Sequence, residues 1–315
     1  MNEFSSISPN DKSINSTNFI HSSPRNINSF LSNQNRTSEP FSDRSNSQFQ
    51  SFTGMQSFSF IGIKDKSGKK NGFGIQKFTN SSIYKGNFIE DKPEGWGILY
   101  HSDGDIHKGY YENGITKGYG EYYHLNEVVY YGYFFDDIQK GIGYEIWKKS
   151  SQYLGNYKNG KKDGIGTYVW EDGTKYKGEW KENNMEGFGI YYFKDGKKYK
   201  GQFKNNVING YGEFSWVEGK KYYGFYKKGK KDGFGIYYWP KKKFFLGFFK
   251  EGKQHGISKY INGNQIKFSR WKNGKKEQIF SNEEIFFNYF EPKEKQFLCY
   301  FKWDIKKIKE FMEII

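Results

Sequence analysis

Aromatic and charged side chains alternate along short stretches of this chain, each centred on a glycine. In Tyr176-Lys177-Gly178-Glu179-Trp180-Lys181 the aromatics stand two residues either side of the glycine, and charges fill the alternate positions. Period two predicts a β-strand with one packed and one wet face. Asn183-Asn184-Met185-Glu186 reads as a turn and Gly187-Phe188-Gly189-Ile190-Tyr191-Tyr192-Phe193 as a second strand. Lys194-Asp195-Gly196 then turns the chain into the next unit. One unit is therefore a β-hairpin.

The hairpin recurs every 23 residues without insertion or loss. Glycine pairs spaced G-x-G fall at Gly72 and Gly74, Gly95 and Gly97, Gly118 and Gly120, Gly141 and Gly143, Gly164 and Gly166, Gly187 and Gly189, Gly210 and Gly212, and Gly233 and Gly235. A broken copy follows at Gly256 with Ser258. A second ladder of the same step runs Gly86, Gly109, Gly132, Gly155, Gly178, Gly201, Gly224 and Gly247. A fixed short period means a stacked array in which each unit packs on its neighbours. Glycine weakens a strand unless another group takes the vacated space, so these glycines are read as structural. Aromatic columns supply that group: Tyr176, Tyr199 and Tyr222 before the ladder glycine, Trp180, Phe203 and Tyr226 after it. Rings lying across bare backbone, at roughly 150–250 Å² buried each, could hold a single-layer sheet together. The expected fold is mainly β, an elongated antiparallel hairpin array over residues 58–280.

Both ends differ from the array. Residues 1–57 hold 15 serines and 9 asparagines with no periodicity, a composition that predicts a disordered tail. In residues 281–315, Ser281-Asn282-Glu283-Glu284 is a capping-box pattern, and Leu298, Phe301, Ile305, Ile308 and Met312 recur at helical spacing after Pro292. This helical end is expected to cap the last exposed strand; docking to a partner or a membrane surface is the alternative.

Charge sharpens the picture. The net charge is +15, and because residues 1–57 carry four acidic and four basic side chains, the excess falls on the repeats. A basic array attracts anionic lipid, nucleic acid or acidic protein, and lysines in turns also keep an aromatic-rich sheet soluble. Lys175, Lys198 and Lys221 form one column, and the turn pairs Lys161-Lys162 and Lys230-Lys231 lie 69 residues apart, three whole units. Aligned on one edge, these lysines would face anionic phospholipid at about 1 kcal/mol each.

Signs of catalysis are weak. Walker and Rossmann glycines lead into a helix N-terminus, whereas these lead into strands. His101, His107, His124 and His255 occupy turns or aromatic positions, without a second ligand cluster for a metal. Asp103-Gly104-Asp105 lacks the remaining ligands of a calcium loop. The single cysteine, Cys299, forms no internal disulfide. No apolar leader or run of 18 apolar residues occurs, so a cytoplasmic protein is expected. Neither a cofactor nor a small-molecule substrate is expected.

The unit Tyr176-x-Gly178-x-Trp180 with Gly187-x-Gly189 and Asp195-Gly196 resembles a MORN repeat, as does Tyr199-x-Gly201-x-Phe203 with Gly210-x-Gly212. About nine such units cover two-thirds of the chain. The resemblance weakens where His107 replaces the leading tyrosine and where Ser258, Arg270 and Lys272 break the last copies. It implies a scaffold, since similar arrays occur in ciliary and cytoskeletal assemblies and at membrane junctions, binding protein or lipid. The expected function is a non-catalytic adaptor that holds protein partners on its aromatic face, Tyr176, Trp180, Tyr199, Phe203, Tyr222 and Tyr226, in a ciliary or cytoskeletal assembly. The alternative is a peripheral membrane module that uses Lys161, Lys162, Lys175, Lys198, Lys221, Lys230 and Lys231. Self-association is a third reading. Nucleic-acid binding is not expected, because the repeat accounts for every aromatic.

Overall fold

The structure, a computed structural model, describes residues 52, 55–148 and 151–314. The expected disordered tail lies almost wholly outside the described residues. Twenty strands form a single antiparallel sheet. Each strand pairs with its neighbours in sequence, from Ser57–Lys64 at one edge to Lys275–Phe280 at the other. The representative hairpin joins Lys175–Lys181 to Asn184–Tyr192. Its turn is shorter than the sequence suggests: Glu182 and Asn183 alone carry the reversal, with φ of 47° and 67°. Two consecutive left-handed residues match the right-handed twist of the strands they join. Asn183 also accepts a bond from the Lys162 backbone N–H through Oδ1 at 2.8 Å, tying its turn to the preceding repeat.

The repeat tyrosines explain the glycine ladders. Tyr176 is fully buried, and its ring lies flat across Gly178 and Gly189, which pair with each other. A Cβ placed on Gly189 would meet the Tyr176 ring at 2.4 Å. The same roof recurs along the array. Tyr84 lies over Gly86 and Gly97, Tyr130 over Gly132 and Gly143, Tyr153 over Gly155 and Gly166, and Tyr222 over Gly224 and Gly235. Where a histidine replaces the leading tyrosine, His107 lies over Gly109 and Gly120. The Tyr176 hydroxyl donates to the Glu179 carbonyl at 2.8 Å, and the same bond recurs from Tyr153 to Asn156 at 3.0 Å and from Tyr199 to Gln202 at 3.1 Å. Edge-to-face contacts then link neighbouring repeats: Tyr153 to Trp180 at 5.4 Å, Tyr176 to Phe203 at 5.1 Å, Tyr199 to Tyr226 at 5.5 Å. The first glycine of each pair has a different task. Gly164 and Gly210 have φ of 107° and 108°, at the irregular step where the long strand bends, a conformation that disfavours any side chain.

The sheet thus has a tyrosine face and a reverse face. Phe52 closes the tyrosine face at its first end, 5.3 Å from Tyr84 and 5.7 Å from Tyr111. At the other end the chain folds into three short helices, α1 (Glu283–Phe287), α2 (Leu298–Phe301) and α3 (Ile305–Ile314). They pack on the reverse face of the last repeats, up to the last strand. Phe286, Phe290, Phe301 and Ile308 form one buried cluster with Phe234, Ile236, Phe244, Leu246, Ile257 and Phe268. As expected of a helical cap, the segment reaches the last strand, where Phe280 is buried against Phe286 at 5.5 Å and Tyr289 at 4.8 Å. Its seat is apolar because the repeat changes there. Phe244 stands where Lys175, Lys198 and Lys221 stand in earlier units, and Leu246 stands where Lys177 and Lys200 do.

Candidate functional site

The aromatics proposed to meet a partner are the core instead. Tyr176, Tyr199 and Tyr222 have no exposed surface, and Trp180, Phe203 and Tyr226 are buried with them. The rings of Tyr176, Tyr199 and Tyr222 each present one side to glycine backbone and the rim to the next ring, so these three have no face left for a ligand. The glycines under those rings, Gly178 with Gly189 and Gly201 with Gly212, are likewise sealed. Gly97, Gly120, Gly143, Gly166 and Gly235 sit in the same place in their own units, each paired with a ladder glycine beneath a ring. They shape the sheet and form no part of a contact surface.

The candidate lysines divide between faces. Lys175 is exposed, and Lys161 and Lys198 are half-buried. Lys221 pairs with Glu213 at 3.1 Å and Lys230 with Glu251 at 2.6 Å. Lys162 and Lys231 turn inward. Lys162 lies 3.4 Å from Glu145, its ammonium over the Trp147 ring at 4.7 Å. Lys231 is 1% exposed and surrounded by rings: Tyr237 at 4.5 Å, Tyr222 at 5.0 Å and Trp216 at 5.7 Å. It donates a hydrogen bond to the Tyr237 hydroxyl. Burial, with a smaller contribution from nearby Lys220, pushes its pKa down to about 7. The seven lysines therefore do not make one basic edge; period two sends the second member of each turn pair into the tyrosine face.

One repeat carries a polar inset in that face. His107, in a tyrosine position, bonds through Nδ1 to the Tyr111 hydroxyl at 2.6 Å. Burial pushes its pKa down to about 3, with His101 adding to the effect. Asp105 accepts from Tyr122 at 3.0 Å and contacts His124 Nδ1 at 2.8 Å. Among the described residues no group of three or more His, Cys, Asp or Glu is placed to hold a metal ion. No described helix is long and apolar enough to cross a membrane.

The surface open to contact is the reverse face. The residue between the two glycines of each pair points there, opposite the residue after the ladder glycine: Trp96 with Tyr110, Tyr119 with Tyr133, Phe188 with Gln202, Phe234 with Phe248. Over the first repeats this surface is aromatic and aliphatic, with Phe73, Trp96, Tyr110, Tyr119, Tyr133 and Ile142 all exposed. Toward the middle it becomes polar, through Lys177, Glu179, Lys200 and Gln202, where a groove of about 900 Å³ follows the strand bends past Ile165 and Phe188. Of the paired glycines, the groove is lined by the first members Gly164, Gly187 and Gly210, not by the second members Gly166, Gly189 and Gly212. Two of the groove's polar side chains are engaged within the sheet: Glu179 accepts from the Phe188 N–H and Gln202 from the Tyr211 N–H, each at 2.8 Å. Sequence reasoning attended to the tyrosine columns and overlooked this stripe, although its residues recur at the same period.

Comparison with known proteins agrees with the geometry. The MORN repeat model matches at residues 66–83, 84–106, 153–175, 176–198, 199–221 and 222–243. Between the matches, the strands from Ile106 to Ile146 keep the same pairing but include the His107 unit. No curated protein matches the chain. Among solved structures, the wild-type TCP10 domain of Danio rerio CPAP is 12% identical, with 72% of this chain and 99% of that one covered and a TM-score of 0.36. The SAS-4 (dCPAP) TCP domain of Drosophila melanogaster, in complex with a proline-rich motif of Ana2 (dSTIL), is 14% identical, covers 53% and 86%, and has a TM-score of 0.32. At this identity and TM-score the likeness carries no functional information. With six family matches falling in register on one hairpin array, the chain is a MORN-repeat protein.

Proposed function

We propose that this protein is a non-catalytic scaffold that binds protein partners on its MORN array, in a ciliary or cytoskeletal assembly such as the family resemblance suggests. The observation that carries this reading is the reverse face, where large apolar side chains stand exposed on a sheet whose other face is filled by its own rings. Apolar surface of that extent marks a place of association. Affinity purification of the tagged full chain after cross-linking in cells tests it. Recovery of stoichiometric protein partners supports the reading, and recovery of the chain alone refutes it.

Attachment to anionic lipid is the second reading, favoured by the charge of +15 and by exposed Lys175. Lys162 and Lys231 have no part in it. Flotation with phosphatidylinositol-phosphate vesicles at low and high salt separates the two, because screening loosens an electrostatic contact far more than an apolar one.

A further inference from the structure

The reverse face repeats one motif at two places six units apart. Phe234 and Phe248 pair across neighbouring strands, with rings 5.5 Å apart. The chain's own helical segment covers them: Phe297 stacks on Phe234 at 5.0 Å, and Phe301 lies parallel to Phe248 at 6.1 Å. In the same register, Trp96 and Tyr110 pair at 5.2 Å, and Tyr119 and Tyr133 follow one repeat later at 6.2 Å. No described residue covers these two pairs, and Trp96 and Tyr110 are 43% and 51% exposed. With Phe73 and Phe135 they offer roughly 600 Å² of aromatic surface, taking half of each ring's area, which is at or above the largest patch of a typical monomer.

We propose that this first-repeat surface seats an acidic amphipathic helix of a partner protein, in the way that the last repeats seat residues 297–301. The proposal rests on the protein-binding reading above. Charge selects the occupant. The chain's own segment is clamped by Lys259, whose ammonium donates to the Phe301 carbonyl at 2.7 Å, and by Arg270, 3.3 Å from Glu291. The equivalent positions in the first repeats are Glu121 and Gly132, so neither that segment nor a copy of it from a second molecule finds its clamps there. Lysines border the bare surface instead: Lys85 over Tyr100 at 5.2 Å, Lys108 over Tyr123 at 4.6 Å and Lys140 over Phe135 at 4.3 Å. None of the three pairs with a carboxylate among the described residues. Of the carboxylates nearby, Glu112 is offset by Lys117 at 2.7 Å, while Glu121, bonded to the Tyr123 hydroxyl at 2.6 Å, and Glu94, bonded to the Asn113 N–H at 2.9 Å, keep their charge, so the three lysines outnumber them. A helix with an apolar stripe and glutamates along its flanks matches both the rings and these cations.

The test uses the full chain and two synthetic helical peptides with the same phenylalanine and leucine stripe, one flanked by glutamates and one by lysines. Fluorescence anisotropy should show the acidic peptide binding at least tenfold more tightly than the basic one. Trp96→Glu with Tyr119→Glu should weaken that binding tenfold or more. Ile165→Glu with Phe188→Glu, in the polar middle of the same face, should leave it unchanged, and circular dichroism establishes that each variant keeps its sheet. Equal binding of the two peptides, or binding that survives the double change at Trp96 and Tyr119, overturns the proposal. A photo-cross-linker at Tyr119 in the full chain extends the test to cells: linkage to an acidic helical segment supports it. Linkage to residues 1–51, to a second copy or to lipid refutes it. If partners co-purify equally with the wild type and the variant changed at Trp96 and Tyr119, this site is wrong while the scaffold reading stands.

Discussion

Replacing Lys231 by methionine should make the protein more stable and flatten its response to alkaline pH. The ammonium is enclosed by aromatic rings with no carboxylate beside it, and its pKa falls from 10.5 to about 7. The unfolded chain holds this proton up to about pH 10.5, whereas the folded chain releases it near 7. Stability therefore rises with pH between those values and is insensitive to this group below 7. At pH 7 the linkage withholds on the order of 4 kcal/mol, of which about 2 kcal/mol is recovered by pH 9. Methionine fits, since Met185 and Ile208 occupy the same column two and one repeats earlier and are equally buried. Guanidinium unfolding followed by tryptophan fluorescence at pH 7 and 9 provides the measurement. Wild type should gain about 2 kcal/mol more than Lys231→Met over that interval. Lys162→Met should do the opposite, because it strips the cation from buried Glu145. Parallel pH responses of wild type and Lys231→Met would show that the lysine does not titrate as argued.

Gly189→Ala places a Cβ 2.4 Å from the Tyr176 ring and should cost on the order of 1–3 kcal/mol, visible as a lower melting temperature. His107 is held neutral by burial, with a pKa of about 3 against 6.5, so its contribution is present above pH 6.5 and is lost as pH falls toward 3. His107→Tyr should abolish that loss, about 2 kcal/mol at pH 5, in melts at pH 5 and 7.5; an unchanged acid response would contradict the assignment. Phe301→Ala removes a buried ring from between the helices and Phe234, Phe286 and Phe290. It should cost about 3–5 kcal/mol, with faster hydrogen exchange confined to residues 234–314, and uniform exchange along the whole array would argue against a separable docked segment.

The hairpin unit was legible in the sequence because its signals are local: alternation about Gly178, the glycine pair, and turn residues within ten positions. The face open to solvent was not. Tyr176 is buried by Phe203, 27 residues away, and nothing within one strand tells a ring roofed by its neighbour from one that waits for a partner. Lys231 misled for the same reason, although its column mates Met185 and Ile208 carried the information. The docked helices were readable as helices from their spacing. Their seat required noticing that Phe244 and Leu246 break lysine columns, a signal that means something only once the columns are known to share a face.

The edge-to-face chain from Tyr130 through Tyr157 and onward to Phe249 has a mechanical consequence. All strands lie across the long axis, so tension between the two ends loads the ladder bonds at one edge first and peels hairpins in succession. Backbone pairing alone would yield rung by rung with little resistance. The rings join each hairpin to the next, so opening one unit also uncovers an aromatic of its neighbour. Under tension such an array should open in steps of 23 residues, one repeat at a time.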